Sequence, residues 1–260
     1  MKKPLRGIVH VHSNYSYDGH NSLEEIARYA RTRGYHFVGM TEHSDTFDRS
    51  RMRDYVQDCA RMSTSECLLI PGIEFRCGKD LHLVGVGVGA YTADDDPLRV
   101  TDFIHGEGGM AVIAHPIRNH YRLPAGLAGA ADAIEVWNAA YDGRFVPNDR
   151  SLALLGELRR TGNESLLAFG AQDLHRIVNH GHVEITVGRD DASAGSIVAA
   201  LKKGEFTISN PYFRLQPRQD VGPAALARIR LARRLYTLGR AMRDILHRRA
   251  LGWLSSHTPA

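Results

Sequence analysis

Gly7-Ile8-Val9-His10-Val11-His12 is the stretch on which the reading of this chain turns. Its β-branched residues predict a buried strand, and that strand ends on two imidazoles. Residues i and i+2 of a strand face the same side, so His10 and His12 are placed to grip one ion together. Working outward, six more short apolar runs follow the same plan: His36–Thr41, Leu68–Glu74, His82–Gly87, Ala111–His115, Ala133–Trp137 and Leu166–Gly170. Helix-patterned segments lie between them at Ser22–Arg33, Arg49–Ser63, Pro97–Glu107 and Asp149–Arg160. Ser22 with Glu25 three residues on predicts a capping box at the first helix start. Strands alternating with helices imply right-handed βαβ units and a parallel sheet. Near-continuous apolar strands imply burial on both faces.

The expected fold class is therefore α/β, a closed (β/α) barrel of seven units, with an open doubly wound sheet as the alternative. A strand over His182–Val187 and a helix over Ala192–Lys203 are expected to close the domain at about residue 210. Residues 211–223 hold Pro211, Pro217, Gly222 and Pro223 and read as a linker. Residues 224–260 read as a basic amphipathic helix, whose Leu231, Leu235, Leu238, Met242 and Ile245 draw one stripe.

The net charge of +4 conceals a division. The segment from Ala224 to Ala250 carries eight arginines and one acid, which leaves 25 Lys+Arg against 28 Asp+Glu elsewhere. The tail is therefore a candidate for packing on the barrel, for self-association, for nucleic acid or for an anionic membrane surface. Trp253 and Leu254 fit the last of these. The three cysteines show no CxxC spacing, which argues against a disulfide framework and against a thiolate zinc knuckle. The basic start, Met1 to Arg6, leads into no signal-peptide apolar run. No stretch reaches the ~18 apolar residues of a spanning helix. A cytoplasmic protein is expected.

The polar outliers gather at strand ends. His43 follows the second strand, Glu74 ends the third, His82 opens the fourth, His115 ends the fifth, and Asp173 and His175 follow the seventh. Asp18 lies in the loop after His12. In a parallel barrel the carboxyl ends of the strands are where sites are built. Imidazoles and carboxylates without thiolates suit zinc, manganese or iron. These donors exceed the needs of one tetrahedral ion, so two or three divalent ions are expected, with Glu74 as the bridge. Asp173 and His175 are expected to act as a pair if their segment is extended. His20, His36, His105, His120, His180, His182, His247 and His257 read as surface or structural, and Cys77 as a small buried residue.

Read together, these residues resemble a known family. His10-Val11-His12-Ser13-Asn14-Tyr15-Ser16-Tyr17-Asp18-Gly19 is similar to the first motif of the PHP (polymerase and histidinol phosphatase) family. Thr41-Glu42-His43, Pro71-Gly72-Ile73-Glu74, His82-Leu83-Val84-Gly85, Ala114-His115-Pro116 and Asp173-Leu174-His175 resemble the later motifs, in order. The resemblance spans about residues 5 to 210. It implies a distorted seven-stranded barrel with a trinuclear metal site, and it fills every ligand position: His10, His12, Asp18, His43, Glu74, His82, His115, Asp173 and His175. It implies hydrolysis of a phosphate ester by metal-activated hydroxide. Only 32 residues separate His82 from His115, too few for the inserted domain that family members acting on nucleotides often carry there.

For phosphate contact, Arg118 and Arg176 are the best-placed cations, and Asn138, which ends the strand that lacks a ligand, is expected to orient a ligand or touch substrate. No protein nucleophile is called for, Ser13 and Ser44 included. A phosphorylated small molecule is the expected substrate. The alternatives are a nuclease or nucleic-acid end processor, a non-phosphate ester or amide hydrolase, and a non-catalytic metal-stabilised module.

Overall fold

The structure is a computed structural model and describes residues 4–188 and 191–256. The side chains of 240, 241 and 243–256 fall outside that description, and with them Ile245, His247, Trp253 and Leu254; His257 lies beyond it altogether. The chain divides into two compact units, Met1–Asp220 and Val221–Ala260.

The first unit is mixed α/β. In chain order it runs β1 (Pro4–Val11), α1 (Leu23–Thr32), β2 (Phe37–Met40), β3 (Glu42–His43), α2 (Arg49–Met62), β4 (Leu68–Ile70), β5 (Gly72–Arg76) and β6 (His82–Val86). It continues through α3 (Pro97–Gly106), β7 (Met110–Ile113), α4 (Leu127–Ala130), β8 (Ala133–Asn138), α5 (Asp149–Thr161) and β9 (Leu167–Ala171). It ends with β10 (Glu184–Gly188), α6 (Ala194–Lys202), β11 (Phe206–Ser209) and β12 (Arg214–Leu215). One sheet has the order β12-β11-β10-β1-β2-β4 and the other β3-β5-β6-β7-β8-β9.

The third expected strand is broken in two, and the second is followed at once by a further short strand. The second ends before Thr41, with β3 beyond its expected end, and the third breaks at Pro71, which has no N–H to give to a ladder. Gly72 follows because a Cβ there would fall on the carbonyl oxygens of Met40 and Gly85. Each junction hands the chain from one sheet to the other. Further hydrogen bonds join β1 to the segment after β9: Gln172 N donates to Val9 O (2.9 Å), Leu174 N to His10 O (3.0 Å) and His12 N to Leu174 O (2.9 Å).

The expectation of a wholly parallel sheet is corrected at β6, which runs antiparallel to both β5 and β7. The five residues between Arg76 and His82 are too few for a crossover, so the strand must turn back as a hairpin. β10 and β11 are antiparallel as well. The reversal matters for the site. A strand that runs backwards begins at the rim where its neighbours end, so His82 reaches that rim from the first residue of β6.

Local chemistry sets the helices. The Ser22 hydroxyl accepts from Glu25 N (3.2 Å) and the Glu25 carboxylate accepts from Ser22 N (2.8 Å). Such a cap contributes about 1 kcal/mol. α1 buries Leu23, Ile26, Ala27 and Ala30, one stripe at helical spacing. Trp137, Tyr55, Phe37, Phe75 and Phe169 are all fully buried in the core. Each large apolar side chain contributes about 1.5–3 kcal/mol. α4, four residues of Leu, Ala and Gly, carries no periodicity from which it could be anticipated.

Within 211–223, β12 pairs with β11, and Pro217 O accepts from Ala168 N (2.8 Å). Prolines there mark turns in packed chain as far as Asp220, whose carboxylate meets Arg159 at 2.8 Å. The second unit is built on one helix, α7 (Pro223–Ser256). Leu231, Leu235, Leu238 and Met242 of its expected stripe are exposed. Among the described residues no helix is long and apolar enough to cross a membrane.

Candidate metal centre

The centre is organised around one carboxylate. Glu74 is buried on β5, and its Oε1 lies 2.6 Å from His82 Nδ1 and 2.8 Å from His115 Nε2. Its Oε2 lies 3.1 Å from His43 Nδ1, 3.4 Å from His10 Nε2 and 3.5 Å from His12 Nε2. Asp173 Oδ1 faces His10 (3.6 Å), His12 (3.5 Å) and His175 (3.5 Å). Asp18 Oδ2 lies 3.2 Å from His175 Nε2 and 3.3 Å from His43 Nε2.

All nine residues expected at the site are therefore brought together. Eight of them form three groups whose ligand atoms lie within 4.8 Å of one another: His10/Glu74/His115, His10/His12/Asp173 and His12/Asp18/His43/His175. His82 stands outside the three groups and joins them through Glu74.

The backbone that carries these side chains is unusual. His10 (φ 66°), His115 (φ 23°) and Asp173 (φ 50°) all sit at positive φ, a conformation costly for residues with a Cβ. The pairing of β1 with β2 shifts register between Val9 and Val11, so His10 sits on an irregularity. His10 and His12 still share one group with Asp173, as expected, although the strand between them departs from regular pairing. The segment carrying Asp173 and His175 is likewise not extended. Asp18 owes its place to a loop folded on itself, since a Cβ at Gly19 would strike the Ser13 carbonyl.

A second layer of carboxylates orients the first. Glu135, buried on β8, takes His10 Nδ1 on Oε1 (2.7 Å). Its Oε2 accepts from His115 N (2.7 Å) and Asn138 Nδ2 (2.8 Å). Asn138 also donates to Asp173 Oδ2 (3.2 Å). It thus supports a candidate ligand, one of the two roles the sequence suggested for it. Glu42 accepts from the hydroxyls of Ser13 and Ser16, both at 2.6 Å, while Ser16 Oγ accepts from His43 N (2.9 Å). Sequence reasoning passed over Glu135. Its signal was a lone acid inside the apolar run Ala133 to Trp137.

Electrostatics follow from this crowding. Burial alone would lower the His10 imidazole, but Asp173, Glu135 and Glu74 outweigh it and hold it well above the usual histidine range. Burial would raise Glu74, yet His10, His115 and His43 keep its carboxyl well below the usual range. His12, with weaker compensation, is pushed by burial down to about 4. Burial raises the Glu42 carboxyl to about 7 against the pull of its serine donors.

The donor set also fits cations on a geometric ground. His10 Nε2, His12 Nε2, Asp18 Oδ1, Glu74 Oε2, His82 Nε2 and His115 Nδ1 are buried with no hydrogen-bond partner. Buried polar atoms without partners are costly. Here they cluster on ligand-type residues, and divalent ions would satisfy them.

Of the two arginines expected to meet phosphate, Arg118 is half-buried just after His115, and its charge acts on both Tyr17 and Tyr141 beside the centre. Arg176 is exposed.

A mixed α/β fold with a buried centre of imidazoles and carboxylates defines a metallohydrolase-like class. Residues 9–182 match the PHP domain family, and the chain belongs to it. No curated protein sequence matches the chain at a significant level. Among solved structures it is similar to a two-domain protein from Bacteroides vulgatus containing a predicted PHP-like metal-dependent phosphoesterase (TM-score 0.59, 16% identity, 80% of this chain and 65% of that one). It is also similar to PsfC from Pseudomonas syringae (0.56, 16%, 90% and 99%). A third is the lesion-specific endonuclease PfuEndoQ from Pyrococcus furiosus (0.54, 14%, 79% and 58%). At these identities the likeness is one of fold. The chain spans less than two thirds of the first and third of these proteins.

Proposed function

We propose that this chain is a metal-dependent phosphoesterase working at a polynuclear, trinuclear centre. Its nine ligands are His10, His12, Asp18, His43, Glu74, His82, His115, Asp173 and His175. The observation that carries this reading is Glu74, one buried carboxylate within 3.5 Å of five imidazoles, the environment of a bridging ligand. Zinc, manganese or iron suits this donor set. Such ions supply activation of water at neutral pH and neutralisation of charge developing on a phosphoryl group.

The chain's own residues do the rest. Glu135 fixes the His10 ring through Nδ1, which leaves Nε2 free to ligate, and outer partners of this kind set ligand orientation. Asn138 holds Asp173 and Glu135 in one frame. Arg118 supplies positive charge at the mouth for a non-bridging phosphoryl oxygen. Arg176 is exposed and is assigned the more distal contact. The ring of hydrogen bonds from β1 through to Leu174 supports a closed, distorted seven-stranded barrel as the frame. Residues 1–210 are the hydrolase body, and 224–260 an accessory basic helix.

The test is an activity screen of manganese- or zinc-loaded protein against phosphomonoesters, phosphodiesters and oligonucleotides. Oligonucleotides belong in it because the fold is shared with a lesion-specific endonuclease and α7 is rich in arginine. Turnover abolished in His10→Ala and Glu74→Ala, with loss of bound metal, supports the reading. Undiminished turnover in both variants refutes it.

A further inference from the structure

Two large aromatic side chains stand exposed beside a centre that is otherwise buried or half-buried: Tyr17 at 71% and Tyr141 at 43%. Each rests on a different imidazole of the centre. Tyr17 stacks on His43 with ring centroids 4.9 Å apart and planes 18° from parallel. Tyr141 leans on His115 at 4.8 Å. Under Tyr17 the stacking continues, since His43 stacks on His12 at 4.5 Å and His12 on His175 at 4.2 Å. A column of four rings therefore ends in the open face of a tyrosine.

The backbone that carries both tyrosines is tied to the network that holds the ligands. Tyr141 N donates to Asn138 Oδ1 (3.1 Å), and the same Asn138 donates to Asp173. Tyr17 sits between Ser16, which hydrogen-bonds Glu42, and Asp18, which faces His43 and His175. Arg118 acts electrostatically on both phenols, and the two imidazoles they rest on, His43 and His115, both face Glu74, at 3.1 and 2.8 Å. Tyrosine offers a large, flat contact area with few rotatable bonds to freeze. Flat rings extend such a column by offset or edge contact, and the gain is insensitive to ring identity.

Building on the phosphoesterase reading, we propose that Tyr17 and Tyr141 form an aromatic clamp at the mouth of the centre, selecting phosphoesters whose leaving group is a planar aromatic ring. The phosphoryl group lies at the metals beside Arg118, and the ring on the ester oxygen lies against the tyrosines. Specificity then resides in ground-state contact with the leaving group, and its signature is in KM rather than kcat.

The experiment compares phenyl phosphate with n-hexyl phosphate, which presents similar apolar bulk without a flat face. It uses full-length, manganese-loaded protein: wild type, the double variant Tyr17→Leu/Tyr141→Leu, and Tyr17→Phe/Tyr141→Phe, with metal content matched. The expected wild-type KM favours the aryl ester by about tenfold, a preference lost in the leucine pair and kept in the phenylalanine pair. No wild-type preference, or one that survives in the leucine pair, overturns the clamp. Titration of phenylphosphonate and n-hexylphosphonate by calorimetry gives a readout that needs no turnover. If the wild type hydrolyses no phosphoester, the phosphoesterase reading fails by itself. The clamp then stands only if phenylphosphonate binds more tightly than hexylphosphonate and the leucine pair erases the difference; equal affinities, or no binding of either, overturn it.

Discussion

The centre has an inner and an outer part, and they differ in their relation to water. His10, Glu74 and His115 show 0%, 1% and 2% of their side chains to solvent. His43, His175 and Asp18, which meet one another across the mouth, show 10%, 29% and 36%. The inner donors are locked by Glu135 and Asn138. The outer donors are supported by the Ser13–Gly19 loop and by stacked rings. Desolvation strengthens charge–charge contacts and removes the alternative of hydration. The inner group should therefore hold a cation tightly and tolerate little change, while the outer group should be the more exchangeable, substrate-facing side.

The largest expected effect comes from removing the acid that both parts share. Glu74→Gln keeps the shape but removes the charge facing five imidazoles. It should lower turnover by about 1000-fold with loss of more than one bound ion, read by metal analysis beside kinetics. Intact stoichiometry in this variant would break the idea of a shared bridge. Next is Glu135→Gln, which touches only the inner part. Its loss of a carboxylate on His10 Nδ1 should weaken metal affinity about 10- to 100-fold. Equal weakening of inner and outer sites would blur the distinction. Smaller still is Asp18→Asn: about tenfold weaker binding of one ion, with the inner ions retained, seen as a separate phase in a metal titration.

The smallest effect lies away from the metals. His180 is buried, near Tyr35 Oη (3.0 Å), and burial lowers its imidazole to about 4. Its folded form therefore binds its proton less readily than the unfolded chain, whose histidines titrate near 6.5. The unfolded state takes up more protons between those values, so this contribution to stability is complete above about 6.5 and declines as pH falls toward 4. His180→Gln should be less stable at neutral pH and show a shallower loss of melting temperature across that window. A parallel loss in both proteins would assign the pH dependence elsewhere.

Much of this was legible in the chain because metal chemistry restricts residue type. Imidazoles and carboxylates at the ends of apolar runs stand out; of the positions expected from motifs, His10, His12, His43, His82 and His115 face Glu74, and Asp18, Asp173 and His175 gather beside them. Strand identity was legible for the same reason, as Val- and Ile-rich runs have few other uses. Direction was less so. The reversal of β6 leaves no mark in its apolar pattern, only in the shortness of residues 77–81 before it. The bulge at His10 and the positive φ of His115 and Asp173 are tertiary outcomes, imposed where packing and polar contacts override local preference. Glu135 escaped notice because its partners, His10 and His115, lie far from it in sequence.

The central claim is that hydrolysis of a phosphate ester depends on several ions held by this donor set. The direct measurement strips the protein with chelator, restores manganese in steps, and follows bound equivalents and phosphoester turnover together. Turnover that is absent at zero equivalents and rises to its limit at two to three bound ions is the predicted result. Full turnover in the stripped protein, or saturation of both signals at a single ion, would contradict it.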